Sequence, residues 1–481
     1  MKLLSELEIL SRTLDFSPEQ WNQAMKVCSD FGEKYLKDLT QSPAFFKIKP
    51  LESGRPTPPE GPEDLAHVLG DFVHLALESG IEPTSGRFFG YIPGGGMPAA
   101  AVGDLIAALT NRYSGVAGVC PGAVEIENQV VRWIRLLLRW PESSWGTLQS
   151  GGSMATLTAI IAARATRPPQ DWFKSVIYCS EEAHHCFQKA IKVAGLEATP
   201  FRKIRADDKG KLSIQDLKMQ IQKDKQAGLI PWILCVTAGT TNLGAIDPLE
   251  ESHEICQSEK MWMHVDAAYG GFFGLTETGK KRLQGMEWGD SLVLDPHKGL
   301  FQPYGIGIVI VREGALLRNS LSSQASYLQD IAQESENSPT DYSPELTRHF
   351  RGLRLWFSLK THGMEAFRAA LEEKLILAKN LYSELSQFPE LELFSEPDLS
   401  VVAFRWRGKD AEICNRETLK LFHHVLEEGK IHFSSTTIHG FLYLRMCVLS
   451  FRTHRSEIQL ALKEIRESIS YVKTTQGNNH D

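Results

Sequence analysis

Five short, almost uninterrupted apolar runs constrain this chain more than any other feature. SVIYCS (175–180), PWILCVT (231–237), MWMHVD (261–266), SLVLD (291–295) and GIVIV (307–311) are each of strand length, and helical patterns lie between most of them. Strands apolar on both faces need cover on both faces. The pattern therefore predicts an α/β domain with a mainly parallel sheet between helical layers. Polar and glycine-rich residues follow several runs, and in open sheets of this kind ligands bind beyond the carboxyl ends of the strands.

The flanks differ from this middle. The first ~40 residues are helical in pattern, and Ser17-Pro18-Glu19-Gln20 has the marks of a helix start. A proline-rich stretch over 41–64 then interrupts any regular element. Beyond residue 344 two helical patterns, 344–363 and 364–385, precede strand-like runs at 399–406 and 441–448 and a last helix from about 455. These shifts divide the chain into an N-terminal helical arm (1–94), a large α/β domain (95–343) and a smaller α+β domain (344–481).

Composition narrows the function classes. A net charge of −7 over 481 residues, without a basic cluster, gives no electrostatic footprint for nucleic acid. No apolar run approaches the ~20 residues of a membrane span. The opening MKLLSELEILSRTLDF carries acids within its apolar stretch, as an amphipathic helix does and a signal peptide does not. Eight scattered cysteines form no C-x-x-C pair, so neither a metal site nor a disulfide framework is expected. A reducing, cytoplasmic location follows.

The chemistry gathers in the segments after the strands. In Asp295-Pro296-His297-Lys298-Gly299, a lysine just past a buried strand can lose solvation, which lowers its pKa toward the neutral amine that Schiff-base chemistry needs. Asp266 ends another strand and is followed by the small residues Ala267 and Ala268, which leave room for a flat ligand. A buried carboxylate needs a partner, and a protonated pyridine nitrogen would be one. Gly151-Gly152-Ser153 opens a helical run and offers backbone N–H groups to an anion such as a monophosphate; the Walker pattern is absent. His184 stands at a helix start where an imidazole could stack on a ring, and Thr241 lies in the polar turn TAGTT.

With these segments in view, the sequence resembles the group II pyridoxal-5′-phosphate (PLP) decarboxylases, the aromatic-amino-acid and glutamate decarboxylase family. FFGY (88–91), SGGSMAT (150–156), EEAHH (181–185), TAGTT (237–241), HVDAAYGG (264–271), DPHKG (295–299), SYL (326–328) and YLRM (443–446) occur in the family's order. The resemblance implies a fold-type I PLP-dependent transferase fold with a mainly parallel seven-stranded sheet, and a homodimer. It implies that Lys298 carries the cofactor, Asp266 pairs with the pyridine nitrogen, and His184 stacks on the ring. Gly152 and Ser153 then hold the phosphate, Thr241 and Ala268 line the cofactor, and His297 precedes the lysine as in the family. Tyr327 matches the tyrosine that returns a proton to the substrate carbon, where aldehyde-forming relatives carry Phe. Arg445 is expected to face a substrate carboxylate and Tyr113 to line the substrate pocket.

Three departures bear on the substrate. Gly299 stands where the aromatic decarboxylases have Trp, NRYSGVAGVCPG (111–122) offers Tyr113 as its one ring, and Thr347-Arg348-His349 stands where paired arginines are usual. A dopa-like side chain is therefore not expected. The expected reaction is α-decarboxylation of an L-amino acid to an amine and CO2. Its rivals are another PLP reaction on the same scaffold (aldehyde formation, C–C cleavage or transamination) and PLP binding without turnover.

Overall fold

The computed structural model describes residues 2–49, 57–322 and 337–477. Seven strands form the large sheet: β1 (Trp145–Gln149), β2 (Ser175–Ser180), β3 (Phe201–Ile204), β4 (Ile230–Thr237), β5 (Trp262–Asp266), β6 (Ser291–Leu294) and β7 (Gly307–Val311). Their order is β1-β7-β6-β5-β4-β2-β3. Every pairing is parallel except the two made by β7. The mainly parallel α/β sheet expected from the apolar runs is thus present. β2, β6 and β7 are buried at every position, as strands covered on both faces must be.

β1 and β3 are the strands that the apolar pattern does not mark. Both are edge strands. β3 reads FRKI, with charged residues that an edge exposed on one side can carry. β1 reads WGTLQ; a Cβ on Gly146 would stand within 2 Å of the Val309 carbonyl oxygen, so this position excludes any side chain.

The helices that matter for the site run off the carboxyl ends of strands. Up to residue 260 the α-helices are, in chain order, α1 (Lys2–Ser11), α2 (Pro18–Asp38), α3 (Leu65–Phe72), α4 (Pro98–Thr110), α5 (Pro121–Leu137), α6 (Gly152–Arg164), α7 (His185–Val193), α8 (Ile214–Gln226) and α9 (Leu249–Glu259); short unlabelled helices follow at Glu277–Arg282 and Gly314–Leu321. The start of α2 carries the expected reciprocal cap: Gln20 N donates to Ser17 Oγ at 3.2 Å and Ser17 N to Gln20 Oε1 at 2.8 Å. α6 follows β1 and α7 follows β2, so both point their amino ends at the same edge of the sheet.

The C-terminal part holds a four-stranded antiparallel sheet of β8 (Leu391–Leu393), β9 (Val401–Trp406), β10 (Ser434–Ile438) and β11 (Phe441–Cys447), in the order β8-β9-β11-β10. Helices α10 (Arg351–Leu385), α11 (Ala411–Glu428) and α12 (Arg455–Gly477) accompany it. α10 begins at Arg351 and not at Pro344, and it breaks at Gly363 (φ 71°), between the two helical patterns seen in the sequence. Phe404, Phe433, Leu444 and Ile465 form the centre of a core distinct from the one beneath the large sheet.

Candidate active site

The carboxyl ends of β1, β2, β4, β5 and β6 surround one cavity of about 340 Å³. That is the lower end of the range for small-molecule sites. Of the residues singled out from the sequence, Gly152, Ser153, His184, Thr241, Asp266, Ala268, His297 and Lys298 all line it. They come from five separate segments of the chain, which only the sheet brings together.

β6 delivers the lysine. Asp295 follows the strand, and Pro296 opens a one-turn helix, Pro296–Gly299, that carries His297 and Lys298. Lys298 Nζ lies 2.9 Å from Asp295 Oδ2. Burial works to lower the Lys298 pKa, but the adjacent Asp295 and the more distant Asp266 outweigh it, and the amine is held above its ordinary value. This corrects the expectation of a lysine neutralised by desolvation alone, because the strand end supplies a counter-ion as well as burial. His297 Nδ1 donates to the Ile306 carbonyl at 2.6 Å, and burial holds the ring below its ordinary pKa.

β5 delivers Asp266, 7% exposed, whose Oδ1 accepts the Ala268 N–H at 3.2 Å. Behind it His264 is fully buried and bonded through Nδ1 to Ser291 Oγ at 2.8 Å; burial pushes its pKa down to about 4. His184 caps α7, its Nδ1 accepting the Cys186 N–H at 3.3 Å. Burial lowers the His184 pKa against the pull of Asp266, so a neutral imidazole faces the cavity. Opposite, Met154 and Ala155 donate to the Gly151 carbonyl, so the preceding N–H groups, of Gly152 and Ser153, are those that α6 offers at its amino end.

The polar turn after β4 is fixed from both sides. Asp247, buried, accepts the Thr237 and Leu212 N–H groups, each at 2.7 Å, and burial raises its pKa to about 7. Arg445 on β11 donates to the carbonyls of Thr241 (2.6 Å) and Asn242 (3.2 Å) and to Ser434 Oγ (2.8 Å). Its guanidinium thus grips the loop that carries Thr241, and Arg445 is not among the residues lining the cavity. Nor is Tyr113, whose hydroxyl donates to the Leu346 carbonyl at 3.2 Å. Tyr327 lies outside the described residues.

Sequence reasoning passed over several wall residues. Asp295 was visible beside the lysine but given no role. Thr237 sits in the TAGTT turn and Tyr269 in HVDAAYGG, neither with a role assigned, and Cys186 carries no pattern of its own. Burial raises the Cys186 thiol to about 12. Gly299, one of the three departures, does not line the cavity, and a Cβ there would stand 2.8 Å from the Phe272 Cβ. The second, 111–122, packs along residues 338–346 through the bonds Ala117 N to Ser338 Oγ and Tyr113 Oη to Leu346 O. In the third, Arg348 is buried and donates to Glu127 at 2.7 Å. None of the three lines this cavity.

The wall suits a flat, phosphorylated, aldehyde-bearing cofactor. It has an amine (Lys298), a buried carboxylate (Asp266), a neutral imidazole (His184) and a helix amino end at Gly152. Two buried wall atoms, Thr237 Oγ1 and Asp295 Oδ1, have no hydrogen-bond partner, as groups awaiting a polar ligand would not.

Comparison with known proteins agrees with this chemistry. The family model of the pyridoxal-dependent decarboxylase conserved domain matches residues 50–407. Among curated relatives, aromatic-L-amino-acid decarboxylase of Bacillus atrophaeus is 31% identical, with 96% of this chain and 98% of that one covered. Phenylacetaldehyde synthase of Arabidopsis thaliana is 29% identical, with 94% and 96% covered. Among solved structures, Catharanthus roseus tryptophan decarboxylase in complex with L-tryptophan superposes with a TM-score of 0.87 at 25% identity, covering 95% of this chain and 99% of that one.

Proposed function

The chain belongs to the pyridoxal-dependent decarboxylase family, as a PLP-dependent carboxy-lyase acting on an L-amino acid, and from that premise we propose how its residues divide the reaction and what they accept. Bound PLP supplies an electron sink for the carbanion left at Cα when CO2 departs. Lys298 is the attachment point. Asp266 holds the ring nitrogen protonated, a fixed charge that needs no reorganisation as the reaction proceeds. His184 covers one face of the ring and excludes water there. Gly152 and Ser153 present N–H groups to the phosphate, and Thr241 and Ala268 complete the walls. His297 steadies the turn that carries the lysine. Tyr327 donates the proton to Cα, so that an amine and not an aldehyde leaves.

For the substrate we take an aromatic L-amino acid, in keeping with the relatives. The sequence departures that speak against such a side chain lie outside the wall of the cavity proposed to hold PLP, and the assay below decides the substrate. Arg445, already engaged with the Thr241 loop, is proposed as a support of the cofactor site in place of a substrate anchor.

We also propose a cytoplasmic homodimer, with residues 1–94 as the dimerisation arm. α1 and α2 bury no residue in this chain, and Leu3, Leu4, Leu7, Ile9 and Leu10 are all more than half exposed. An apolar face of this length on a single copy needs cover. Six of the eight cysteines are buried and none forms a disulfide among the described residues, which supports a reducing compartment. No helix among the described residues is long and apolar enough to cross a membrane.

The observation that carries the reading is the convergence of Lys298, Asp266, His184 and Gly152 on one cavity. The test is to purify the protein with PLP and assay CO2, amine, aldehyde and peroxide over the aromatic amino acids, glutamate, ornithine and diaminobutyrate. Amine and CO2 in equal amounts from an aromatic substrate are expected, with Tyr327→Phe diverting product toward aldehyde. Aldehyde from the unaltered enzyme, or turnover confined to the acidic or basic substrates, would overturn it.

A further inference from the structure

The lysine assigned above to the cofactor already has a partner, and it is Asp295 rather than Asp266. Asp295 is 3% exposed and its Oδ2 lies 2.9 Å from Lys298 Nζ. Its Oδ1 is buried without a hydrogen-bond partner. The same carboxylate stands against the amino end of α6: a Cβ built on Gly152 would lie 2.9 Å from Oδ2 and 3.2 Å from Oδ1. One side chain therefore touches both the amine and the anion-accepting end of the cavity. His297 Nε2 comes within 3.5 Å of Oδ2, but that ring is kept neutral by burial and gives Nδ1–H to Ile306. Lys298 is left as the charged partner of Asp295 among the described residues.

We propose that Asp295 is the positioning residue of Lys298. It holds the free side chain as an ammonium in the cavity, so that the amine becomes a nucleophile only at a higher pH than burial alone would set. The inference rests on the assignment of Lys298 as the attachment lysine. The proton that leaves Nζ, –NH3+ becoming –NH2, goes to solvent, and its loss leaves a buried carboxylate without its cation, which is costly.

Other titratable groups also face Nζ: Asp266 from β5, His184 and Cys186 from α7, Tyr304 from the segment after the one-turn helix, and Cys447 from β11. Burial keeps the imidazole, both thiols and the phenol neutral. Asp295 and Asp266 are the charges to which the lysine responds.

The test follows cofactor capture in place of turnover. Apoprotein and Asp295→Asn, which keeps the shape and removes the charge, are mixed with PLP across a pH series. Visible absorbance reports loading, and borohydride trapping with peptide mapping locates the label. The label is expected on Lys298 in both. The midpoint of the loading profile should fall in the variant by about one pH unit or more, equivalent to about tenfold or faster capture on the rising limb. Pyridoxal without its phosphate should show the same displacement, because the effect arises at Nζ. Superimposed profiles would overturn the proposal, whereas a label on another side chain would overturn the assignment of Lys298. If the variant does not fold, competitive acetylation of the unaltered apoprotein titrates Lys298 directly. Its amine should titrate above exposed lysines of the same digest such as Lys189 and Lys218, and a value at or below theirs would overturn the proposal.

Discussion

Asp266 and Asp295 end neighbouring strands, and their surroundings give them different tasks. Asp295 faces an amine of its own chain at 2.9 Å. Asp266 is 7% exposed, takes one backbone N–H, and presents its charge to the cavity. A buried carboxylate so placed costs free energy until a cation meets it, and the cation proposed here is the protonated ring nitrogen of PLP. Asp266→Ala removes one half of that buried pair, a loss of about 3–5 kcal/mol. The expected result is at least a hundredfold weaker cofactor retention, measured by visible absorbance after gel filtration, with most decarboxylation lost. Near-normal turnover with retained PLP would show that the ring nitrogen is held elsewhere. Gly152→Val tests the opposite end of the site. Its Cβ would meet the Asp295 carboxylate at 2.9 Å, too close for an unshifted structure. PLP affinity should drop, and pyridoxal lacking the phosphate, which makes no use of the α6 amino end, should be affected less.

At the scale of elements, the strand ends hold the site and the C-terminal sheet steadies them. Arg445 on β11 reaches across to the Thr241 and Asn242 carbonyls, so the small sheet grips a turn of the large one. Arg445→Met would strand those acceptors, at about 1–3 kcal/mol for each buried group left unsatisfied. Lower thermal stability and roughly tenfold weaker PLP retention are expected, with the KM of the fully loaded enzyme little changed. A rise in KM with retention intact would instead restore Arg445 to the substrate carboxylate. This residue also shows where sequence reading reaches its limit. Buried strands announce themselves through apolar runs, and the residue types after them (Lys298, Asp266, Gly152) declare their chemistry, so most of the cavity wall was legible. Arg445 sits on a strand whose register against β9 and β10 puts its guanidinium under the loop, and no local pattern encodes that reach. β1 and β3 escaped notice because edge strands can carry glycine and charge. The surroundings of Gly299 are not legible locally either, because Phe272, distant in sequence, fills the space that a side chain there would take.

For the whole molecule, buried imidazoles set a limit on the acid side. His264 on β5 is locked against Ser291 of β6, and His432 stacks against Phe88 (ring centroids 5.0 Å, 3°) and Phe45 (5.6 Å, 18°). Burial pushes both down to about 4 from the ordinary 6.5. The unfolded chain binds a proton at each near 6.5, and the folded protein resists until about 4. As pH falls through that window the unfolded state gains protons that the folded state refuses, so stability is lost. The loss approaches about 3 kcal/mol per histidine. Asp247 works against this: raised to about 7, it takes a proton in the folded state before the unfolded chain does, and so adds stability as pH falls from about 7 toward 4. Substitution at His432 separates the two trends. His432→Phe keeps a ring between Phe45 and Phe88 and removes the titrating nitrogen, whose Nδ1 has no hydrogen-bond partner. The larger ring lies close to Gly90 and will cost some packing, so the slope is the readout and not the level. Urea unfolding at intervals from pH 7 to pH 4 should show a shallower fall of stability in the variant than in the unaltered chain. Parallel slopes would mean that His432 takes up its proton in the folded state as readily as in the unfolded one, and that the acid limit is set at His264 and the carboxylates.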